Sequence, residues 1–230
     1  VSDNRKIVGK TYGAITGWKT DGLFRSEEEI DNSAWWGSRP NVGDIKFVDI
    51  NGDGKITYIM CKGDPENIDA QYRTEFSIKA LTDAGKEVEC LYEYLDNWDQ
   101  TTAQQDVANA LSQYGDKIEV VFCNNDAMAL GALQSIEQAG RKVGEDIYLV
   151  GVDALKEAVQ NVVDGKMTGT IKQDAEGMAS TILNLVSSVK GGGNLMDNTS
   201  SFNVDAGVAK IRVPYATYTG EKAIANEIGR

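Results

Sequence analysis

The chain has 230 residues, of which 41% are hydrophobic and 25% are charged, a composition typical of a globular protein with a substantial core. Its formal net charge of −12 disfavours nucleic acid as a partner, because an acidic surface repels phosphate backbones. It contains no histidine, so it lacks the usual neutral-pH general base and the common zinc ligand, and enzymes become less favoured as a class. Its apolar runs, such as Ile147–Val152, fall far short of the ~20 residues of a membrane helix, which predicts a chain that does not span a membrane.

Residues 1–48 do not show a regular alternation of strand-like and helix-like segments. They are rich in glycine, aromatic and acidic residues, and they carry turn signals at Asp21-Gly22 and Pro40-Asn41. We interpret this part of the chain as an atypical N-terminal segment, separate from the region that follows it.

A loop at residues 49–57 has the pattern of an EF-hand type calcium loop. Side-chain oxygens recur at loop positions one, three and five, Gly54 allows the sharp turn, and position seven contributes its backbone carbonyl. The candidate ligands are Asp49, Asn51, Asp53, Lys55 and Thr57. Hard oxygen ligands favour calcium over a transition metal. Position twelve is Met60 rather than glutamate, so the site needs a carboxylate from elsewhere; the alternative is a polar turn between strands.

From residue 56 onward, short apolar runs alternate with amphipathic segments. The predicted strands are Ile56–Cys61, Glu87–Tyr94, Ile118–Cys123, Asp146–Val152, Gly169–Lys172 and Ala209–Tyr218. The predicted helices are Asp69–Ala84, Thr101–Tyr114, Ala127–Ala139, Ala154–Asp164 and Ala175–Val189. This alternation predicts an α/β fold in which a doubly wound parallel sheet is covered by helices on both faces.

The three cysteines fit no zinc-binding spacing, and their odd number is a poor disulfide framework. Cys61 and Cys123 lie inside apolar runs, and Cys90 is next to Leu91. We therefore expect all three to be small core residues.

Polar side chains and one tryptophan follow the ends of the predicted strands. The candidate set is Asn67, Asp69, Arg73, Trp98, Asn125, Asp153 and Gln173. Because ligands of such sheets sit beyond the carboxyl ends of the strands, we expect these side chains to share one rim. Carboxylates, amides and guanidinium groups bond sugar hydroxyls, and a flat aromatic packs on a sugar ring. Each residue alone is more often a helix cap than a ligand, so the hypothesis depends on the whole set.

These residues belong to longer runs that are similar to one known family. The runs are Asp49–Gly54, Gly63–Thr74, Ile118–Ala129, Gly151–Leu155 and Arg212–Tyr215. From about Asp49 onward, the chain resembles the periplasmic glucose/galactose-binding proteins of ABC importers. The resemblance implies the type I periplasmic-binding-protein fold and a binding protein that is not an enzyme.

The resemblance also implies a role for each candidate ligand. The residues that match hydrogen-bonding partners of sugar hydroxyls are Asp69, Arg73, Asn125 and Asp153. Trp98 matches the aromatic residue that stacks on the pyranose. Asn67 stands where enterobacterial members have histidine, and Gln173 stands where they have asparagine. Both replacements keep hydrogen-bonding ability, which leaves the preferred hexose open.

For the calcium loop, the resemblance implies that Glu119 is the remote carboxylate that completes the metal shell. Thr57 is shorter than the glutamine that the family has at that place. The implied function is extracytoplasmic binding of glucose or galactose, in the periplasm or at the cell surface, for delivery to an ABC permease or a chemoreceptor.

The family has two lobes that close on the sugar, and we expect the first lobe to be largely missing from this chain. The resemblance implies that residues 49–173 form the sugar- and calcium-binding lobe and that 174–207 form a helix and loop of the other lobe. Residues 208–230 would then be the return strand and C-terminal helix of the sugar-binding lobe.

Residues 7–56 are similar to a different family. The stretches Ile7–Gly13, Thr20–Ile30 and Gly43–Ile56 resemble a segment of SusC-like TonB-dependent transporters. The two resemblances overlap at the predicted calcium loop.

Three other functions stay open on the sequence. One is the effector-binding domain of a sugar-responsive transcription regulator, although no basic DNA-binding arm precedes the lobe. Another is a fragment of a glycan-uptake outer-membrane transporter, carried by residues 1–48. The last is a carboxylate enzyme such as a glycosidase, with a pair like Asp69 and Asp153.

Overall fold

The computed structural model describes residues 49–194, 203–205, 210–213 and 216–218 of the chain. Its strands are β1 Ile56–Lys62, β2 Val88–Leu95, β3 Val120–Cys123, β4 Tyr148–Asp153, β5 Gly169–Lys172, β6 Asn203–Asp205, β7 Lys210–Arg212 and β8 Ala216–Tyr218. Its helices are α1 Ile68–Asp83, α2 Gln100–Tyr114, α3 Asp126–Gln138, α4 Lys156–Val163 and α5 Ala175–Lys190, with a 3₁₀ turn at Gly115–Lys117.

The strands form a six-stranded sheet in the order β2-β1-β3-β4-β5-β8. The first five strands in this order, β2, β1, β3, β4 and β5, pair in parallel. The last strand, β8, pairs with β5 in the antiparallel direction. A separate two-stranded ladder pairs β6 with β7. The parallel sheet confirms the predicted α/β fold, and it places the carboxyl ends of five strands along one edge.

Each face of the sheet is covered by its own apolar cluster, because alternate residues of a strand point to opposite faces. On β1, Ile59 and Cys61 pack with α2, α3 and α4. Tyr58 and Met60 point to the other face, where Ile78 of α1 packs. Tyr58 and Phe122 meet edge to face there, with ring centroids 5.6 Å apart. The helices therefore lie on both sides of the sheet, as the sequence predicts.

Two sequence expectations are wrong in detail. The predicted strand Ala209–Tyr218 is two strands, β7 and β8, in different sheets. Pro214 stands between them in the sequence, and proline lacks the N–H that a continuous ladder requires. Cys90 is exposed rather than in the core, because β2 is the edge strand of the sheet, whereas Cys61 and Cys123 are buried.

The predicted N-terminal segment 1–48, and most of the SusC-like stretch, lie outside the described residues, as does the expected helix at the C-terminus. The domain boundaries therefore stay predictions. Within the described part of the chain, no helix has the length and apolar character needed to cross a membrane.

Candidate functional site

The candidate sugar ligands lie at the carboxyl ends of the parallel strands. Asn67 and Asp69 follow β1, Trp98 follows β2, and Asn125 follows β3. Asp153 is the last residue of β4, and Gln173 comes directly after β5. Hydrogen bonds and ion contacts join most of these residues to one another.

Arg73 is at the centre of this rim. Its side chain is 6% exposed, and its Nη1 lies 3.6 Å from Oδ1 of Asp153. Its Nη2 lies 4.0 Å from Oδ2 of Asp69, one turn earlier on α1. The guanidinium carbon is 5.7 Å from the ring centroid of Trp98, which is within the range of a cation–π contact. A single buried cation thus draws two carboxylates and an indole to one place.

Trp98 and its neighbours complete the rim. The side-chain amide of Asn125 donates to the Trp98 carbonyl at 3.4 Å, and that of Gln173 donates to Oδ1 of Asp153. The indole packs directly on Gly63, where a Cβ atom would lie 2.2 Å from Cε2 of the ring. Only glycine leaves room for the ring in this position.

Two of the candidate ligands are helix N-caps, which refines the roles that the sequence suggests. Oδ1 of Asn67 accepts from the N–H of Asp69 at 2.8 Å, and Oδ1 of Asn125 accepts from the N–H of Met128 at 2.9 Å. Capping occupies the oxygen of each amide, so Asn67 offers its N–H groups to a ligand, and Asn125 offers the N–H that does not donate to Trp98.

The backbone of the rim is held in unusual conformations. Among the described residues, the non-glycine residues with positive φ are Asn97 (49°), Trp98 (68°), Asp153 (125°) and Ala154 (55°). All four lie in the two loops that carry the indole and the central carboxylate. Non-glycine residues adopt these angles only where the surroundings enforce them, and such residues cluster at functional sites.

Electrostatics distinguish the carboxylates of the site. Burial raises the pKa of Asp153, and the charge of Arg73 opposes that rise. Asp126, which directly follows Asn125 in the chain, is fully buried. Burial raises its pKa to about 7, although hydrogen bonds from Thr170 and Leu155 lower it.

Three residues that are not among the predicted ligands support the rim. Asn124 is buried, and its carbonyl accepts from Nη1 of Arg73 at 2.8 Å while its side chain accepts from the N–H of Gly63 at 3.1 Å. Asp126 and Thr170 form a second buried contact, at 2.7 Å. The run Asn124-Asn125-Asp126 directly after a buried strand is a signal that marks the first two of these residues.

The predicted calcium loop lies at the amino ends of the strands, opposite the rim. Glu119, which precedes β3, joins the loop to the sheet. Oε1 of this buried carboxylate accepts from the N–H groups of Ile50 at 2.6 Å and Asn51 at 3.1 Å. Oε2 accepts from the N–H of Thr57 at 2.8 Å. Lys55 forms an ion pair with Glu89 through its side chain, which leaves its carbonyl as the only ligand it offers.

The loop side chains are engaged with the loop backbone. Oδ1 of Asp49 accepts from Gly52 N–H at 2.6 Å, and Oδ2 accepts from Gly54 N–H at 2.7 Å. Oδ1 of Asn51 and Oδ1 of Asp53 each accept from a backbone N–H two residues on. Within the described ranges, no three His, Cys, Asp or Glu side chains converge as a metal-binding cluster. The donor set is nevertheless made of hard oxygens, which suit calcium.

Residues 46–194, more than half of the chain, match the family of the periplasmic binding protein domain. The chain is 34% identical over 169 residues to the D-galactose/methyl-galactoside binding periplasmic protein MglB of Haemophilus influenzae, covering 73% of this chain and 49% of that protein. It is 37% identical over 90 residues to the D-allose-binding periplasmic protein of Escherichia coli, covering 39% of this chain and 28% of that protein. The chain therefore spans about half the length of MglB and a smaller share of the D-allose-binding protein.

Solved structures support the same fold. A periplasmic sugar-binding protein from Pseudomonas fluorescens superposes with a TM-score of 0.63 at 22% identity, covering 77% of this chain and 51% of that one. A solute-binding protein of an ABC transporter from Bacillus halodurans, solved with bound myo-inositol, superposes with a TM-score of 0.61 at 23% identity, covering 76% and 55%.

Proposed function

Because this chain belongs to the periplasmic binding protein domain family, we propose that it binds a hexose of the glucose or galactose type at the carboxyl rim of its sheet. The observation that carries the proposal is the convergence of Arg73, Asp69, Asp153 and Trp98 on one patch. Buried charge is costly unless it is paired, so a buried arginine between two carboxylates indicates a site built for a polar ligand.

The chemistry of the rim suits a pyranose. The carboxylates of Asp69 and Asp153 accept hydrogen bonds from hydroxyl groups, and Arg73 and the amide N–H groups donate them. The indole of Trp98 offers a flat apolar surface to the C–H face of a sugar ring. The side chain of Asp153 is 26% exposed and that of Asp69 is 39% exposed, so both carboxylates reach the surface.

We also propose that the protein acts outside the cytoplasm and passes its sugar to an ABC permease or a chemoreceptor. In this mechanism, sugar bridges two lobes and stabilises the closed form, because it makes contacts there that the open form lacks. Such a binding protein releases its ligand unchanged, so we propose no catalytic residues.

The test is calorimetric titration of the 230-residue chain with D-glucose and D-galactose. We expect heat of binding for at least one sugar, and we expect Asp153→Ala and Trp98→Ala to abolish it. Asp164→Ala is the matched control, since Asp164 caps the far end of α4 and should leave affinity unchanged. Absence of binding to both sugars, or full affinity in the Asp153 variant, would overturn the proposal. Turnover of an aryl glycoside would instead favour the glycosidase alternative.

We further propose that the loop at residues 49–57 holds a structural calcium ion. The donors would be the side-chain oxygens of Asp49, Asn51, Asp53, Thr57 and Glu119 and the carbonyl of Lys55. What supports this is the oxygen-only donor chemistry and the approach of the buried Glu119 carboxylate to the loop.

A melting curve tests this second proposal. Calcium should raise the melting temperature of the chain, chelator should reverse the rise, and magnesium should have a smaller effect. Asp49→Asn combined with Asp53→Asn should remove the response. The sugar affinity should change little, because the loop lies at the edge of the sheet opposite the rim. A melting temperature that is independent of calcium would refute the site.

A further inference from the structure

The loop after β4 needs an external support. Asp153 has a φ of 125° and Ala154 a φ of 55°, conformations that are unfavourable for non-glycine residues. The N-cap residue of the following helix, α4, is Leu155, whose side chain makes no capping hydrogen bond. Neither the local sequence nor the helix therefore explains why Asp153 is held in this geometry.

A buried pair of side chains supplies the missing support. Oδ2 of Asp126 accepts from the N–H of Leu155 at 2.8 Å, and Oδ1 accepts from the hydroxyl of Thr170 at 2.7 Å. The Thr170 oxygen in turn accepts from the N–H of Ala154 at 3.2 Å. Two residues from α3 and β5 thus hold the two residues that follow Asp153.

The backbone of β4 is fitted closely to this pair. A Cβ atom at Gly151 would lie 2.2 Å from Oδ1 of Asp126 and 3.0 Å from Cβ of Ala129. The strand therefore approaches the carboxylate more closely than any other residue type would allow. Asp126 and Thr170 are themselves fully buried, so neither side chain reaches the surface at which a sugar would bind.

We propose that Asp126 and Thr170 are positioning residues that hold Asp153 in its ligand-binding geometry and thereby set the affinity for sugar. This inference rests on the proposed function. It differs from a purely structural role, because it predicts that the pair controls affinity through the loop even in variants that fold normally.

The protonation state of Asp126 provides a readout specific to this role. Its ionised form is the one that accepts both hydrogen bonds. The charge of Asp153 raises its pKa, and Asp153 itself lies beside the Arg73 guanidinium, 3.6 Å away. Burial raises the pKa of Asp126 to about 7. As the pH falls through this value the carboxylate takes up a proton, the loop loses an acceptor, and we expect sugar affinity to fall.

The experiment compares Asp126→Asn, Thr170→Val and Thr170→Ser with the wild-type chain, by titration with D-galactose and D-glucose. We expect Asp126→Asn and Thr170→Val each to lower affinity at least tenfold, and Thr170→Ser to retain it because the hydroxyl remains. In the double variant Asp126→Asn/Thr170→Val, the fold-loss of affinity should be smaller than the product of the two single fold-losses. Both substitutions act through the same loop. The affinity ratio of wild type to Asp126→Asn should approach one at pH 5.5, where both side chains are neutral.

Ser135→Ala is the matched control, since Ser135 is buried and donates to the Gln104 carbonyl at 2.6 Å, away from the rim. It should lower the melting temperature without changing affinity. Wild-type affinity in folded Asp126→Asn or Thr170→Val would overturn the inference. If the asparagine variant does not fold, Thr170→Val and its serine rescue decide the question.

A second measurement separates this inference from the proposed function. If the wild-type chain binds neither sugar, the function fails, and hydrogen exchange at the Ala154 amide tests the positioning role alone. The acceptor of that amide is Thr170, so Asp126→Asn removes no direct partner of it. We expect at least tenfold faster exchange at Ala154 and no change at Gly165, and unchanged exchange at Ala154 would refute the role.

Discussion

Asp96 is a buried carboxylate at the start of the loop that carries Trp98. Asp96 is 0% exposed, and its carboxylate lies near the Cys61 thiol and the Asp106 carboxyl without a well-formed hydrogen bond among the described residues. Burial raises its pKa to about 7 from an ordinary value of 3.8, and the nearby Asp106 adds to the rise. The native state therefore binds a proton that the unfolded chain releases between these pH values.

The sign of the resulting pH dependence is fixed by this difference. The stability that the protonated Asp96 contributes is complete below pH ~4 and is lost as the pH rises through about 7. We expect Asp96→Asn to raise the free energy of unfolding at pH 8.5 by on the order of 2 kcal/mol, because it removes an unpaired buried charge. The advantage should disappear near pH 4. Urea denaturation measures both values.

Asp116→Asn is the control for this prediction, because Asp116 lies exposed in the 3₁₀ turn. It should change stability little at either pH. A destabilised Asp96→Asn variant at pH 8.5, or an effect of equal size at both pH values, would contradict our interpretation of Asp96.

Gly63 provides a second prediction at the scale of one residue. A Cβ atom there would lie 2.2 Å from the indole of Trp98, so Gly63→Ala must displace the ring. We expect hexose affinity to fall at least tenfold while the fold is retained. Gly191→Ala is the control, since Gly191 has an ordinary φ of −77° and lies at the C-terminal end of the 16-residue helix α5, whereas Gln173 of the rim precedes its N-terminal end. Equal affinities in the two variants would show that Trp98 does not contact the sugar.

At the scale of elements, Glu119 joins the loop at residues 49–57 to the entry of β3. Its carboxylate accepts backbone N–H groups from both the loop and β1, and its residue is 1% exposed. We expect Glu119→Ala to lower the free energy of unfolding by about 2–4 kcal/mol, because several buried donors lose their acceptor. Calcium should no longer raise its melting temperature.

Glu89→Gln is the matched variant for this element, because Glu89 is a partly exposed carboxylate that pairs with Lys55. A pair of this kind contributes little, and we expect a loss below about 1 kcal/mol. Thermal unfolding with and without calcium measures both variants. If Glu119→Ala unfolds like the wild type, Glu119 does not anchor the loop.

The elements also show what could be predicted from the sequence. The strand Gly169–Lys172 has the bounds that its short apolar run predicts, and the parallel sheet follows from the alternation of strands and helices. The split of residues 209–218 is not predicted because apolar and polar residues alternate there as in one strand, although Pro214 interrupts the run. The rim was predicted as a set because strand ends converge at one edge.

Other features depend on contacts that periodicity does not reveal. Asp126 and Thr170 are 44 residues apart in the chain, and the fold brings them together in one buried hydrogen bond at the start of α3. The run Asn124-Asn125-Asp126 marks Asp126 as a polar residue at a strand end, but the sequence does not show that it is buried or that Thr170 is its partner. The positive φ angles of Trp98 and Asp153 are likewise set by their surroundings.

At the scale of the whole molecule, α5 differs from the other helices in what it exposes. It carries a row of exposed large apolar side chains, Met178, Ile182, Leu183, Val186 and Val189. Within the described part of the chain these side chains are not covered, and a contiguous row of this kind marks an interaction surface. This agrees with the prediction that α5 belongs to the other lobe of the family, which the described residues do not test.

The half-length match to MglB leads to a prediction about affinity. The family resemblance implies that a second lobe closes on the sugar from the opposite side. The rim described above provides one side of such a cleft. We therefore expect the 230-residue chain to bind hexose at least a hundredfold more weakly than MglB of Haemophilus influenzae under the same titration conditions. Equal affinities would show that residues outside the rim complete the site within this chain.

The antiparallel pairing of β8 with β5 has a consequence for refolding. A long stretch of chain, from Lys172 to Ala216, separates the two strands, so β5 presents a bare sheet edge until Ala216–Tyr218 returns to cover it. The unpaired N–H and C=O groups of β5 are then open to strands of neighbouring chains. Refolding from denaturant at high protein concentration should therefore produce more aggregation than refolding at low concentration, and chaperones that shield exposed strands should reduce it.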